Sequence, residues 1–161
     1  LVSQNLSQGV KEIRLRSKRL YPYIFGTSPL LLLGSKYFFP LVFNESFAAS
    51  APVFNIYILL IISRMIYPQT IMLGQKRTKA LLYIAILELM INIFVSLALA
   101  FKFGLLGIAA GTVIAFSSEK IMQIIYLKLK RGISIHHYVD VKPYALYSAG
   151  LVIVWLFTIL F

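Results

Sequence analysis

Five ionisable side chains stand inside stretches that are otherwise apolar: Lys36, Arg64, Glu88, Glu119 and Lys120. A charge at the centre of a lipid-spanning helix costs about 2.5–3.5 kcal/mol on insertion scales, so such residues normally face a bundle interior or a water-filled cavity. Three of the five fall at matched depth. Arg64 lies nine residues before Leu73, Glu88 eight after Ala80 and Glu119 eight before Leu127. At about 1.5 Å per residue, each would be roughly 12–14 Å from the same end of its helix. Lys120 shares that layer but leaves the helix about 100° away from Glu119. Two chemistries fit. Arg64 could pair with Glu88 or Glu119 as a structural lock, or the layer could line a hydrophilic cavity for a polar or charged substrate. Lys36 lies nearer the opposite end, where its long stem can snorkel to water.

Polar neighbours extend the layer. Glu88, Asn92 and Ser96 follow a four-residue spacing, which places them on one helical face. Tyr57, Arg64 and Tyr67 are expected to share a second face, and Thr112, Glu119, Gln123 and Tyr126 a third. Ser96 and Thr112 also suit hydrogen bonds between helices. Pro29 and Pro68 each remove a backbone hydrogen bond, so a kink is expected at both. Gly107 and Gly111 form a GxxxG pattern, which lets a second backbone approach closely. His136 and His137 are neighbours in a polar link, a spacing that does not favour a shared metal, and no metal or other cofactor is expected. The chain has no cysteine, which excludes thiolate chemistry and disulfides. No Ser/His/Asp set, phosphate-cradling glycine loop or paired-carboxylate site is visible, so the chain does not read as an enzyme.

The elements that must position these residues are long and apolar. Residues 20–43, 51–73, 80–101, 104–127 and 145–161 form five apolar stretches. A spanning helix needs about 20 residues, with a range of roughly 17–25, so four qualify and the last is marginal. Strict apolar/polar alternation is missing, and open strands in lipid would leave backbone groups unpaired. The expected fold is therefore all-α, a transmembrane bundle of five spanning helices. Residues 1–19 are polar and basic. Leu6, Val10 and Ile13 at helical spacing fit an interfacial helix, and a solvated linker fits as well.

Composition agrees. The 161 residues are 60% hydrophobic, with a mean hydropathy of +0.84. A chain this short cannot hide that excess in one core. Its formal charge of +11 is read as membrane-side loops rather than as a nucleic-acid surface. If residues 1–19 are cytoplasmic, the links on that side (1–19, 74–79 and 128–142) carry twelve Lys and Arg, and those outside carry only Lys102. This asymmetry predicts an inner-membrane, multi-pass protein with its N-terminal segment and links 74–79 and 128–144 in the cytoplasm. Leu1 and Phe161 both read as interior to a longer chain.

Three segments resemble a known family. Residues 37–53 resemble the stretch of polysaccharide flippases where one apolar helix ends and the next begins, with Asn44 where that family often has glycine. Met72-Leu73-Gly74-Gln75-Lys76-Arg77 is similar to their basic "LxGxxK" turn. Residues 91–112, from Ile91-Asn92 through Gly104 to Gly111-Thr112, resemble the pattern "iNixlnlxLIxkxGxxGaAxaT". These features belong to the multidrug/oligosaccharidyl-lipid/polysaccharide exporter superfamily, in its O-antigen and polysaccharide repeat-unit branch. The resemblance covers roughly residues 20–128. It implies a two-lobed transporter of a dozen or more helices, of which this chain would supply five from the C-terminal lobe. The implied partners are the bilayer, the missing N-terminal helices of the same transporter, and a polyprenyl-pyrophosphate-linked oligosaccharide moved by alternating access. Arg64 and Lys120 would then be candidates for holding the anionic headgroup. A cation-coupled multidrug exporter of the same superfamily is the alternative, with Glu88 or Glu119 as coupling carboxylate. A membrane-embedded glycan-processing enzyme fits less well, because the links are short and poor in catalytic residues.

Overall fold

The computed structural model describes residues 2–160, with side chains from residue 7 onward, so the side chain of Leu6 lies outside the described residues. Nearly all of it is helix, with no strand among the described residues. Helix α1 spans Val2–Val42 and is 41 residues long. A 3-10 turn at Glu45–Ala49 leads into α2 (Ser50–Ile58) and α3 (Leu60–Arg64). Helix α4 (Pro68–Gly74) is short, and α5 (Thr78–Phe103), α6 (Leu105–Arg131) and α7 (Val141–Leu160) are long.

Among the described residues, four helices are long and apolar enough to cross a membrane. They are Glu45–Arg64, which joins the 3-10 turn to α2 and α3, then Thr78–Phe103, Leu105–Arg131 and Val141–Leu160. The ranking differs from the sequence expectation at both ends. The last helix is extended backward to Val141, which gives it 20 residues and makes it a full-length candidate. Helix α1 is not among the four. Its residues 20–42 mix Pro, Gly, Ser, Thr and Lys36 into the apolar run, which dilutes the hydropathy.

No break separates 1–19 from 20–43, because α1 runs through both. Gln, Leu, Lys, Glu and Arg are all good helix formers, and no proline precedes Pro22. The helix also continues through Pro22, Pro29 and Pro40. One stripe of α1 is buried: Val10, Ser17, Tyr21, Phe25, Ser28, Leu32 and Ser35. Steps of three, four or seven mark it as a single helical face. Each buried serine donates to a carbonyl of its own helix: Ser17 to Ile13 (2.7 Å), Ser28 to Ile24 (2.5 Å) and Ser35 to Leu32 (2.9 Å). No serine hydroxyl is therefore stranded in the apolar seam, whereas the buried Tyr21 hydroxyl has no hydrogen-bond partner among the described residues.

Two apolar clusters result. Val10 joins Ile66, Ile71, Met72, Ile84, Leu127, Tyr138 and Val139 at the basic end, with Ile13 packed beside them. Tyr21, Phe25, Leu32, Ile58, Met65 and Leu151 form the second between α1, the α2–α3 rod and α7. An ion pair closes the first: Asp140 binds Lys18 at 2.8 Å and Arg14 at 3.5 Å.

Helices α5 and α6 form an antiparallel hairpin around one residue, Gly104, at φ 58° and ψ −134°. Such backbone is open chiefly to glycine. In the 74–79 turn the residue with positive φ is Lys76 (58°), not Gly74. Lys76 and Arg77 donate backbone bonds to the carbonyls of Leu73 (2.9 Å) and Met72 (2.9 Å), a Schellman closure of α4. Asn44 is extended (φ −176°), so no glycine is required there, and its side chain accepts from the Ser46 N–H at 2.9 Å.

Candidate functional site

The α5–α6 contact carries most of the charged layer. Gly107 sits against the backbone of Leu99 and Ala100, and Gly111 against Ser96. A Cβ on Gly107 would lie 2.8 Å from the Ala100 nitrogen, and one on Gly111 would lie 2.6 Å from the Ser96 Cα. Ala115, with no exposed surface, continues the stripe of α6 one turn on. Glu119, Gln123 and Leu127 follow at the same spacing. Across the seam run Ala100, Ser96, Asn92, Glu88, Ile84 and Ala80. Small residues bring the backbones together at one end, and long polar ones fill the gap at the other.

The glutamates meet in this register. Glu88 is close enough to Glu119 for the two carboxyls to interact, and it lies beside Asn92 one turn along. Ser96 donates to Asn92 Oδ1 at 2.8 Å and approaches the Ile108 carbonyl of α6 at 3.4 Å. Thr112 bonds the same carbonyl at 3.0 Å. Glu119 accepts from Gln123 Nε2 at 2.7 Å.

The cations are arranged differently from the sequence expectation. Lys120 was expected to point away from Glu119, but its Nζ is 3.3 Å from Glu119 Oε2, and both side chains are largely shielded. Arg64 was a candidate partner for Glu88 or Glu119, yet among the described residues it makes no ion pair with either. Its guanidinium lies over the Phe116 ring, 4.6 Å from the centroid, and the residue is exposed. That is a cation–π contact, which leaves the guanidinium donors unused by carboxylate.

Pro68 also behaves differently from the expected kink. Helix α3 ends at Arg64, residues 65–67 are not helical, and Pro68 opens α4 at its first turn. The residue before a proline disfavours helical backbone, and Tyr67 takes φ −116° and ψ 47°. The break frees the Ile62 carbonyl, and Tyr144 of α7 donates to it at 2.6 Å. The expected shared face of Tyr57, Arg64 and Tyr67 is divided by this break. Tyr57 lies in α2, 37% exposed, and the Tyr67 hydroxyl turns to Met65 Sδ at 3.7 Å.

Phe116 and Tyr144 belong to the site and have no distinguishing mark among so many aromatics. Asn55 does have one, as a lone amide in an apolar run. It accepts from Ser35 at 2.8 Å and reaches Thr158 at 3.5 Å, tying α1, α2 and α7 together. Among the described residues, no cluster of His, Asp or Glu is arranged to hold a metal. No family model, characterised protein or solved structure matches the chain.

Proposed function

We propose that the chain is part of a membrane transporter that moves an anionic, lipid-linked oligosaccharide across the inner membrane by alternating access. The observation that carries the reading is Arg64. It is a guanidinium held over Phe116, about one turn of α6 from Glu119 and Lys120, and among the described residues it is paired with no carboxylate. A planar donor fork free of internal partners suits a phosphate or pyrophosphate. Lys120 is already neutralised by Glu119 and contributes less. The break at 65–67 directly follows Arg64, so a change in that segment would move the cation. The resemblance to polysaccharide flippases points the same way, and supplies the substrate class and the missing N-terminal helices.

In this reading residues 20–42 of α1 cross the membrane as a fifth span, and the basic links 74–79 and 128–144 face the cytoplasm. A cation-coupled exporter is the second reading. The observation that favours it is Glu88, a carboxyl in the α5–α6 seam near Glu119 that, unlike Glu119, is in no ion pair among the described residues.

The test is glycan export by the intact transporter carrying Arg64→Ala or Arg64→Lys. The expected result is export abolished in the first and partly restored in the second, with both proteins at normal abundance. Normal export by a stable Arg64→Ala protein would overturn the proposal. Loss of drug efflux on Glu88→Gln, with glycan export intact, would favour the second reading.

A further inference from the structure

A second basic feature lies at the far end of α6, about 20 Å along the helix from Glu119 at 1.5 Å per residue. Here α6 is closed by Gly132 in left-handed backbone (φ 65°, ψ 13°), and the chain turns back toward α1. Between them is a cavity of about 430 Å³, lined by Lys11, Arg14, Gly132, Ile133, His136 and His137. Lys11 and Arg14 are one turn apart on α1 and so share a face. His137 is fixed by the contact of its Nδ1 with the Ser134 carbonyl at 3.0 Å, which leaves Nε2 for other partners. Val10 anchors the floor in the apolar cluster.

The charge balance of this cavity is one-sided. Among the described residues, no carboxylate lines it. Glu12, the nearest acid in sequence, is held by Arg16 on α1. Asp140 takes its closest bond from Lys18 and reaches Arg14 only at 3.5 Å. Lys11 is exposed and in no ion pair among the described residues. Arg131, next to Gly132, carries a buried Nε without a hydrogen-bond partner. Lys128, Lys130 and Arg131 end α6 and put this collar where the apolar helix stops, at headgroup level for a helix that crosses a membrane.

From this concave cluster of two cations and two imidazoles at the end of a membrane-length helix, lined by no described carboxylate and with only Arg14 shared with an acid, we infer that the cavity binds a phosphate group. The phosphate oxygens would take charge-assisted bonds from Lys11 and Arg14, with His136 and His137 closing the opposite wall. An anionic phospholipid headgroup and a soluble phosphate compound share this chemistry.

The experiment reconstitutes the whole chain in phosphatidylcholine nanodiscs and follows its thermal midpoint, because a ligand that binds only the folded state raises it. One arm adds increasing phosphatidylglycerol, and the other adds inorganic pyrophosphate. A rise with phosphatidylglycerol alone identifies a lipid headgroup, and a rise with pyrophosphate identifies a soluble phosphate. The absence of either rise overturns the inference. Lys11→Gln with His136→Gln removes two exposed side chains from the wall and should raise the half-saturating concentration by about ten-fold, the worth of one charge-assisted bond. Lys76→Gln with Arg77→Gln, on another link, should leave it unchanged. Equal responses from the cavity variant and the unaltered chain, or a loss confined to the Lys76/Arg77 variant, would show that general surface charge is responsible and would overturn the site.

Discussion

Gly111 of α6 lies directly on Ser96 of α5, so close that a Cβ at 111 would stand 2.7 Å from the Ser96 backbone nitrogen. Real Cβ atoms do not reach that distance, and the atom in the way belongs to the main chain. Gly111→Ala and Gly107→Ala should therefore each lower stability in detergent by about 1–3 kcal/mol, the ordinary cost of overpacking. Gly26→Ala is the matched control, since a Cβ there meets nothing within 4 Å. Thermal unfolding decides the matter: equal midpoints for the Gly111 and Gly26 variants would remove the tight α5–α6 seam.

Tyr144 guards the break after α3. Its hydroxyl satisfies the Ile62 carbonyl at 2.6 Å, a group that a continuous helix would have paired internally. Tyr144→Phe keeps the ring contacts with Tyr21 and Phe25 and removes the hydroxyl that makes this bond. A buried carbonyl left unpaired costs about 1–3 kcal/mol, so the midpoint should fall. If it holds, the Ile62 carbonyl must find another donor, and the break is not pinned by α7.

The basic half of α1 is tied to the link before α7 through Asp140. Lys18 and Arg14 hold the Asp140 carboxyl below its ordinary value of 3.8, the Lys18 hydrogen bond being the main cause. The sign follows from linkage. A carboxyl whose folded value is depressed contributes stability above its unfolded value and loses it as pH falls through the folded one. Acidification from pH 5 toward pH 3 should loosen this junction, seen as faster amide exchange over residues 132–140 relative to the intrinsic rate at each pH. Asp140→Asn should show that faster exchange already at pH 7 and little further change on acidification. An unchanged exchange rate in Asp140→Asn would mean that the ion pair does not hold the link.

Some of this arrangement was legible in the sequence. The GxxxG pair Gly107 and Gly111 is one close-approach signal, and the four-residue spacing of Glu88, Asn92 and Ser96 is a helical stripe. Their pairing around Gly104 alone was not legible, because the apolar runs placed the link at 102–103. The continuity of α1 was hidden because a run of Lys and Arg reads as a link, while the same residues are strong helix formers. Pro68 showed that α3 would be disturbed, but a missing hydrogen bond alone does not distinguish a kink from a stop. The backbone of Tyr67 decides for the stop. The ion pairs were least legible. Spacing fixes only the direction of Cα–Cβ, and the long stems of Lys120 and Glu119 swing together from positions about 100° apart.

That last contact carries a prediction about the charged layer itself. Lys120 and Glu119 are 12% and 15% exposed, so neither charge is well solvated, and each depends on the other. Glu119→Gln would leave the Lys120 ammonium shielded and unpaired, and Lys120→Met would leave the Glu119 carboxylate with Gln123 as its remaining donor. Breaking a buried pair from one side costs about 3–5 kcal/mol, whereas removing both charges is often neutral. Each single variant should therefore reduce folded protein in the membrane, and the double variant Glu119→Gln, Lys120→Met should restore it. Arg64→Ala should behave in the opposite way, because it strands no carboxylate: abundance should hold, and Glu119→Gln should not rescue any loss of export. Fluorescence-detected size exclusion of these five variants, with glycan export measured beside it, separates these outcomes. Should Arg64→Ala fall in abundance and recover on adding Glu119→Gln, Arg64 would be the true partner of Glu119, and its proposed role in holding the substrate would fail.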